Sequence, residues 1–160
     1  MLWILRFLYI MRIMKETHTI KSLDKLADFA REFLANLKPS ESGATVIALY
    51  GDLGSGKTAF TKAVAKELGI AGEITSPTFV LEKFYDIPRK ELDFDRLIHI
   101  DAYRIEENRE LEVLDWNGQV KNPENLIIIE WADIVEDLIP SDAMKLEFKF
   151  VDEGVREIRV

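Results

Sequence analysis

Eight consecutive residues, Gly51-Asp52-Leu53-Gly54-Ser55-Gly56-Lys57-Thr58, have the types and spacing of a phosphate cradle. Glycines let successive backbone N–H groups turn inward around phosphate oxygens, and a following helix adds the positive end of its dipole. Lys57 is then expected to reach the β- and γ-phosphates of a nucleotide, and Thr58 to put its hydroxyl on Mg²⁺. This P-loop pattern, Gly-x4-Gly-Lys-Thr, arises by chance in on the order of one chain in a few hundred of this length. All eight residues are candidates for nucleotide binding.

Phosphoryl chemistry also needs an acid at the end of a neighbouring strand, to hold Mg²⁺ and to orient the attacking group. Leu97-Ile98-His99-Ile100-Asp101 and Leu126-Ile127-Ile128-Ile129-Glu130 both end an apolar run in a carboxylate, where an α/β sheet forms its ligand crevice. Asp101 and Glu130 therefore join Lys57 as candidate catalytic residues. Which acid lies nearer the metal is left open by the residues alone.

Other positions are less specific. His99 alternates with Ile98 and Ile100 and points either into the sheet's packing or toward the site. With two histidines and no cysteine in the chain, a zinc site has no support. Arg104 suits either a phosphate contact or a surface ion pair, and Trp131 either the site, a partner contact or the core. Ser76-Pro77-Thr78-Phe79 is a short loop in which Thr78 can sense a γ-phosphate through Mg²⁺, as GTPase loops do.

The elements that must hold these groups are legible in the periodicity. Ala44–Tyr50 is a continuous apolar, β-branched run, as expected of a strand buried on both faces, and a helix from Thr58 to about Leu68 should follow the glycine loop. Apolar residues recur at three and four from Ser22 to Leu37, which predicts an amphipathic helix capped by Ser22. Phe79–Tyr85, Leu97–Asp101 and Leu126–Trp131 read as strands, Glu106–Leu114 as a helix, and Ala143–Val160 as a hairpin about Asp152-Glu153-Gly154. Helices interleaved with buried strands predict an α/β fold: a P-loop NTPase-like three-layer sandwich around a mixed, largely parallel sheet.

The 160 residues amount to one domain, and 48% apolar with 31% charged residues exclude disorder and collagen-like classes. The balance of 21 basic against 29 acidic residues gives −8, a poor charge for an autonomous nucleic-acid binder. Any RNA role is expected to run through a partner. The absence of cysteine excludes a disulfide framework and fits a reducing, cytoplasmic compartment. Met1–Met14 is apolar except for Arg6 and Arg12, too short to span a membrane and without the flanks of a secretory signal. It reads as a packing segment or as residues ahead of a start at Met11 or Met14, with an interfacial anchor or partner-binding segment as the alternative. The expected organisation is a hydrophobic extension over 1–16 and a P-loop domain over 17–160.

Taken in order, GDLGSGKT at Gly51–Thr58, SPTF at Ser76–Phe79, HIDAYR at His99–Arg104 and IEW at Ile129–Trp131 resemble the bacterial TsaE family, the small P-loop ATPases of tRNA threonylcarbamoyladenosine biosynthesis. The resemblance covers about Thr17 to Val160. It implies ATP hydrolysis with Mg²⁺, and association with the TsaD–TsaB pair that transfers a threonylcarbamoyl group to the adenosine beside the anticodon. On that pattern Thr58 and Glu130 bind Mg²⁺, Asp101 positions or activates water, and Thr78 belongs to a switch loop. The chain departs from it in the N-terminal extension, in Ser55 where alanine is frequent, and in Asp115-Trp116 where a glycine-led dipeptide is usual. The first and third bear on partner contacts; the second should leave phosphate binding intact. The alternative is a P-loop small-molecule kinase, but Arg89, Arg96, Arg104 and Arg109 are scattered rather than gathered in a lid. A GTPase lacks its Asn-Lys-x-Asp stretch here.

Overall fold

The computed structural model describes residues 17–89 and 93–160, so the expected extension over 1–16 lies outside the described residues. In chain order the elements are β1 (Thr17–Ile20), α1 (Leu23–Asn36), β2 (Thr45–Tyr50), α2 (Lys57–Glu67), β3 (Glu82–Asp86), β4 (Arg96–Asp101), α3 (Arg109–Val113), α4 (Trp116–Gln119), β5 (Asn125–Glu130), β6 (Met144–Asp152) and β7 (Val155–Arg159). Short 3-10 segments follow β4 at Ala102–Arg104 and β5 at Ala132–Leu138. The strands form one sheet in the order β1-β7-β6-β2-β5-β4-β3. Its four central strands, β6, β2, β5 and β4, are mutually parallel. Antiparallel partners extend it at both sides, so the parallel part is the centre of a mixed sheet.

β2 and β5, and β4 from Leu97 onward, are buried on both faces because nearly all their residues are apolar, and alternation sends them to two separate cores, whereas β6 buries only Leu146 and Phe148. Ile47, Leu49, Leu126 and Ile128 face one core, which α1 and α2 cover through Phe29, Phe33, Phe60 and Val64. Val46, Ala48, Ile127 and Ile129 face the other, closed by Leu111, Trp116 and Val135 from α3, α4 and the second 3-10 segment. These are the three expected layers. The Ser22 hydroxyl accepts from the Lys25 N–H at 3.2 Å and starts α1 where the sequence places the cap. Arg31 joins the two helices through paired hydrogen bonds to Glu67 at 3.2 and 3.3 Å.

Phe60 is fully buried at the centre of the α1–α2 core, its ring centroid within 5.6–5.8 Å of those of Phe29, Phe33 and Phe148. Phe60→Ala is expected to cost about 3–5 kcal/mol, through lost transfer energy and the cavity left behind. Urea unfolding of both proteins measures it.

Three boundaries differ from the sequence reading. The strand expected over Phe79–Tyr85 starts at Glu82, because the Val80 and Leu81 N–H groups turn back to the Pro77 carbonyl at 2.8 and 2.7 Å. The helix expected over Glu106–Leu114 is the shorter α3: the Glu110 carboxylate takes the Glu106 and Glu107 N–H groups and holds that stretch as a loop. β5 stops at Glu130, with Trp131 at φ +59. Asp115, at the position where the resembled family usually has glycine, also has φ +59, a conformation glycine adopts freely and aspartate tolerates. The C-terminal hairpin forms as read, with an irregularity between Phe150 and Asp152.

Candidate active site

Parallel β2, β5 and β4 bring their C-terminal ends to one edge. Leu49 of β2 pairs with Glu130 of β5, and Glu130 with Asp101 of β4, so the two acids stand side by side next to the start of the glycine loop. The loop needs its glycines. Gly51, Gly54 and Gly56 have φ of +129, +75 and +109, and a Cβ on Gly51 would lie 2.2 Å from the Phe148 carbonyl oxygen. Gly56 ends the loop as the N-cap of α2, with Lys57 and Thr58 its first helical residues.

Lys57 is 4% exposed. Its ammonium donates to the carbonyls of Gly51 and Asp52, the latter at 2.9 Å, and lies 3.8 Å from the centroid of the Trp131 ring. Burial pulls its pKa below the ordinary lysine value, against the opposing pull of Glu130, Asp133, Asp101 and Asp52. The carbonyls thus fix a positive charge at the loop's centre.

Glu130 is 2% exposed, and its two oxygens have different partners. Oε2 accepts from the Thr58 hydroxyl at 2.7 Å; Oε1 lies 2.7 Å from His99 Nε2 and takes a longer contact of 3.4 Å from Thr61. Of the two readings for His99, the structure gives the one facing the site. Asp101 is held by three donors: Oδ2 accepts from Ser76 at 2.8 Å and Thr78 at 2.6 Å, and Oδ1 from the Tyr103 N–H at 3.1 Å. Thr78 is thereby committed to Asp101, which ties the Ser76–Phe79 loop to β4.

An octahedral Mg²⁺ with bonds of 2.0–2.1 Å sets neighbouring ligand oxygens about 2.9 Å apart, close to the 2.7 Å between Thr58 and Glu130. The donor set is all oxygen, as that ion prefers. No group of three or more metal-ligating His, Cys, Asp or Glu occurs among the described residues. The pair therefore fits an ion completed by water and phosphate, the usual way Mg²⁺ is held.

A cavity of about 710 Å³ opens above this edge. Lys57, Thr58, Thr78, Asp101 and Glu130 all line it, with Leu53, Gly54 and Gly56 of the loop. Gly51, Asp52 and Ser55 stand behind that wall: the first two supply the carbonyls that hold Lys57, and Ser55 is buried. Lys21 and the start of α1, with Ser22, Leu23 and Leu26, contribute to the same wall. Arg104 is outside the cavity wall, its guanidinium 4.4 Å over the Phe79 ring.

Tyr103 and Arg156 also line this wall, and neither was singled out from the sequence. Tyr103 sits inside the HIDAYR string and packs its ring 4.9 Å from Trp131, so the string itself was a signal. Arg156 comes from β7, donates to the Gly54 carbonyl at 3.1 Å and stacks 4.3 Å over Phe150. Only the sheet order, which sets β7 beside β6 and β6 beside β2, brings it to the loop.

A glycine loop between a buried strand and a helix, at the C-terminal edge of parallel strands that also present two acids, defines a P-loop NTPase-like fold. A solved structure described as the crystal structure of Bacillus subtilus YdiB shares it, with a TM-score of 0.65 and 28% identity over 89% of this chain and 82% of that one. The family model for the threonylcarbamoyl adenosine biosynthesis protein TsaE matches residues 20–158, and the chain belongs to that family. Curated TsaE relatives include that of Rickettsia prowazekii, 34% identical over 87% of this chain and 90% of the relative. The Aquifex aeolicus protein is 34% identical over 94% of this chain and 98% of its own. Both bear the name tRNA threonylcarbamoyladenosine biosynthesis protein TsaE.

Proposed function

We propose that this chain is the Mg²⁺-dependent ATPase of tRNA threonylcarbamoyladenosine formation, acting in the cytoplasm with a TsaD–TsaB pair. The observation that carries this reading is the 2.7 Å pairing of Thr58 with Glu130 beside Lys57 in one cavity with Asp101. The loop's N–H groups and the start of α2 would hold the phosphates, and Lys57 would aim its remaining donor at the β- and γ-oxygens. Thr58 and Glu130 would hold Mg²⁺, which when bound neutralises charge developing on those oxygens. Asp101 would orient the attacking water and take its proton as ADP and phosphate form. With three donors on its roughly four acceptor sites, Asp101 keeps room on Oδ1 for that water while Oδ2 stays tied to the Ser76–Phe79 loop.

The role of a protein partner rests on charge and surface. A net −8 opposes tRNA phosphates, and Leu53, Phe79, Val80 and Tyr103 are large apolar residues more than half exposed on or near the cavity mouth. No helix among the described residues is long and apolar enough to cross a membrane.

The test is ATP turnover by the purified chain, alone and with TsaD–TsaB. Slow turnover that rises with the pair supports the reading; turnover only when a small acceptor becomes phosphorylated replaces it with the kinase. A ligand shifts association only by its differential affinity for the two states. Binding to TsaD–TsaB should therefore be tighter with ATP or a non-hydrolysable analogue than without nucleotide, and sizing chromatography in each ligand state measures this. Equal association in all states removes the switch and leaves the ATPase.

A further inference from the structure

The reading above uses Asp101, Glu130, Lys57 and Thr58 but gives no part to the ionisable group buried among them. His99 lies in the middle of β4, fully buried, between Lys83 of β3 and Ile128 of β5 in the sheet register. Its Nε2 is 2.7 Å from Glu130 Oε1, whereas its Nδ1 is buried with no hydrogen-bond partner.

We infer that His99 is a positioning residue for Glu130: an imidazole with its proton on Nε2, which donates to Oε1 and leaves Oε2 aimed at Thr58 and the Mg²⁺ subsite. This deepens the Mg²⁺–ATP reading and rests on it. The tautomer follows from the contacts. A proton on Nδ1 would bury an N–H with no acceptor, and would turn the bare lone pair of Nε2 onto a carboxylate oxygen that is itself an acceptor. A proton on Nε2 leaves only an acceptor unpartnered, the lesser fault in a buried site.

The need for such a holder follows from the carboxylate. The terminal torsion of a glutamate is broad and roughly two-fold, so burial alone does not fix which oxygen faces Thr58. Thr61 is a weak substitute, since its hydroxyl stands 3.4 Å from Oε1 and also lies 3.2 Å from the Lys57 carbonyl. Groups that orient a metal-binding side chain typically change metal affinity by about 10–100-fold when removed. His99 is fully buried and is not among the residues that line the cavity, so it acts through Glu130.

Two nearly isopolar substitutions separate this from a packing role. In His99→Gln the side-chain amide nitrogen reaches the place of Nε2 and can still donate to Oε1; in His99→Asn it ends near Nδ1 and falls short. Affinity for a fluorescent mant-ATP is titrated on the full chain with Mg²⁺ and again with EDTA. His99→Asn is expected to lose about 10–100-fold of affinity in Mg²⁺ while staying within about twofold of wild type in EDTA. His99→Gln is expected to keep most of the Mg²⁺-dependent gain. Equal losses in both variants, an equal loss with and without Mg²⁺, or an asparagine variant that keeps the whole gain overturns the inference. A second measurement needs no variant: long-range ¹H–¹⁵N spectra of the wild-type imidazole should show the proton on Nε2, and one on Nδ1 overturns it. A wild-type chain that ignores mant-ATP sinks the nucleotide reading instead, while the spectra still decide the contact between His99 and Glu130.

Discussion

Lys57→Ala should lower ATP affinity and turnover by at least about tenfold each, the equivalent of about 1.4 kcal/mol or more in binding. The ammonium is a positive charge held against the carbonyls of the glycine loop, and charge-assisted hydrogen bonds to phosphate are about twice as strong as neutral ones. The effect has a second source. Lys57 ties down the Gly51 and Asp52 carbonyls, so its removal also loosens the loop whose N–H groups face the ligand. In the structure the side chain is buried, held against its own loop and the Trp131 ring. Nucleotide titration and phosphate release are therefore measured beside a thermal melt, which separates a lost site from a lost fold. Unchanged turnover in the folded variant would refute the nucleotide-enzyme reading.

The second large effect divides the two acids. Asp101→Asn keeps the shape and one acceptor oxygen but removes the group that would take a proton from water, so turnover should fall by about 10²–10⁴-fold. Its affinity for Mg²⁺–ATP should stay near wild type. Glu130→Gln removes the negative charge beside Thr58, so turnover should fall and the difference between binding with and without Mg²⁺ should shrink as well. Titrating nucleotide with and without Mg²⁺ on both variants decides between the roles, and the opposite pattern exchanges them.

The parts of this molecule that repeat a simple period were legible from the residues. Thr45–Tyr50 and Asn125–Glu130 are apolar at nearly every position and became the paired parallel strands at the centre of the sheet. The glycine loop carried its own context, a strand before and a helix after, and so the P-loop NTPase-like architecture followed. What the sequence did not reveal depends on contacts between distant residues. β1 is four residues long and exists by pairing with β7, a partner about 140 positions away. The start of β3 is delayed by a turn onto the Pro77 carbonyl, and the start of α3 by a glutamate that caps its own neighbours. At the site, two-residue alternation could not say which way His99 faced, because β4 is covered on both sides. Arg156 carried no signal at all, since its place beside Gly54 comes from strand order rather than from any local pattern.

The Trp131 ring, left at the end of β5 by a left-handed turn, faces the ammonium of Lys57 at 3.8 Å and the ring of Tyr103 at 4.9 Å. Indole emission responds to a charge near its face, and anything that draws that ammonium toward a phosphate changes what the ring senses. Of the other two tryptophans, Trp3 lies outside the described residues, and Trp116 is 3% exposed in the core and is not among the residues that line this cavity. The chain thus carries an optical probe at its own loop, through which occupancy of the cavity can be followed in real time without attaching a dye.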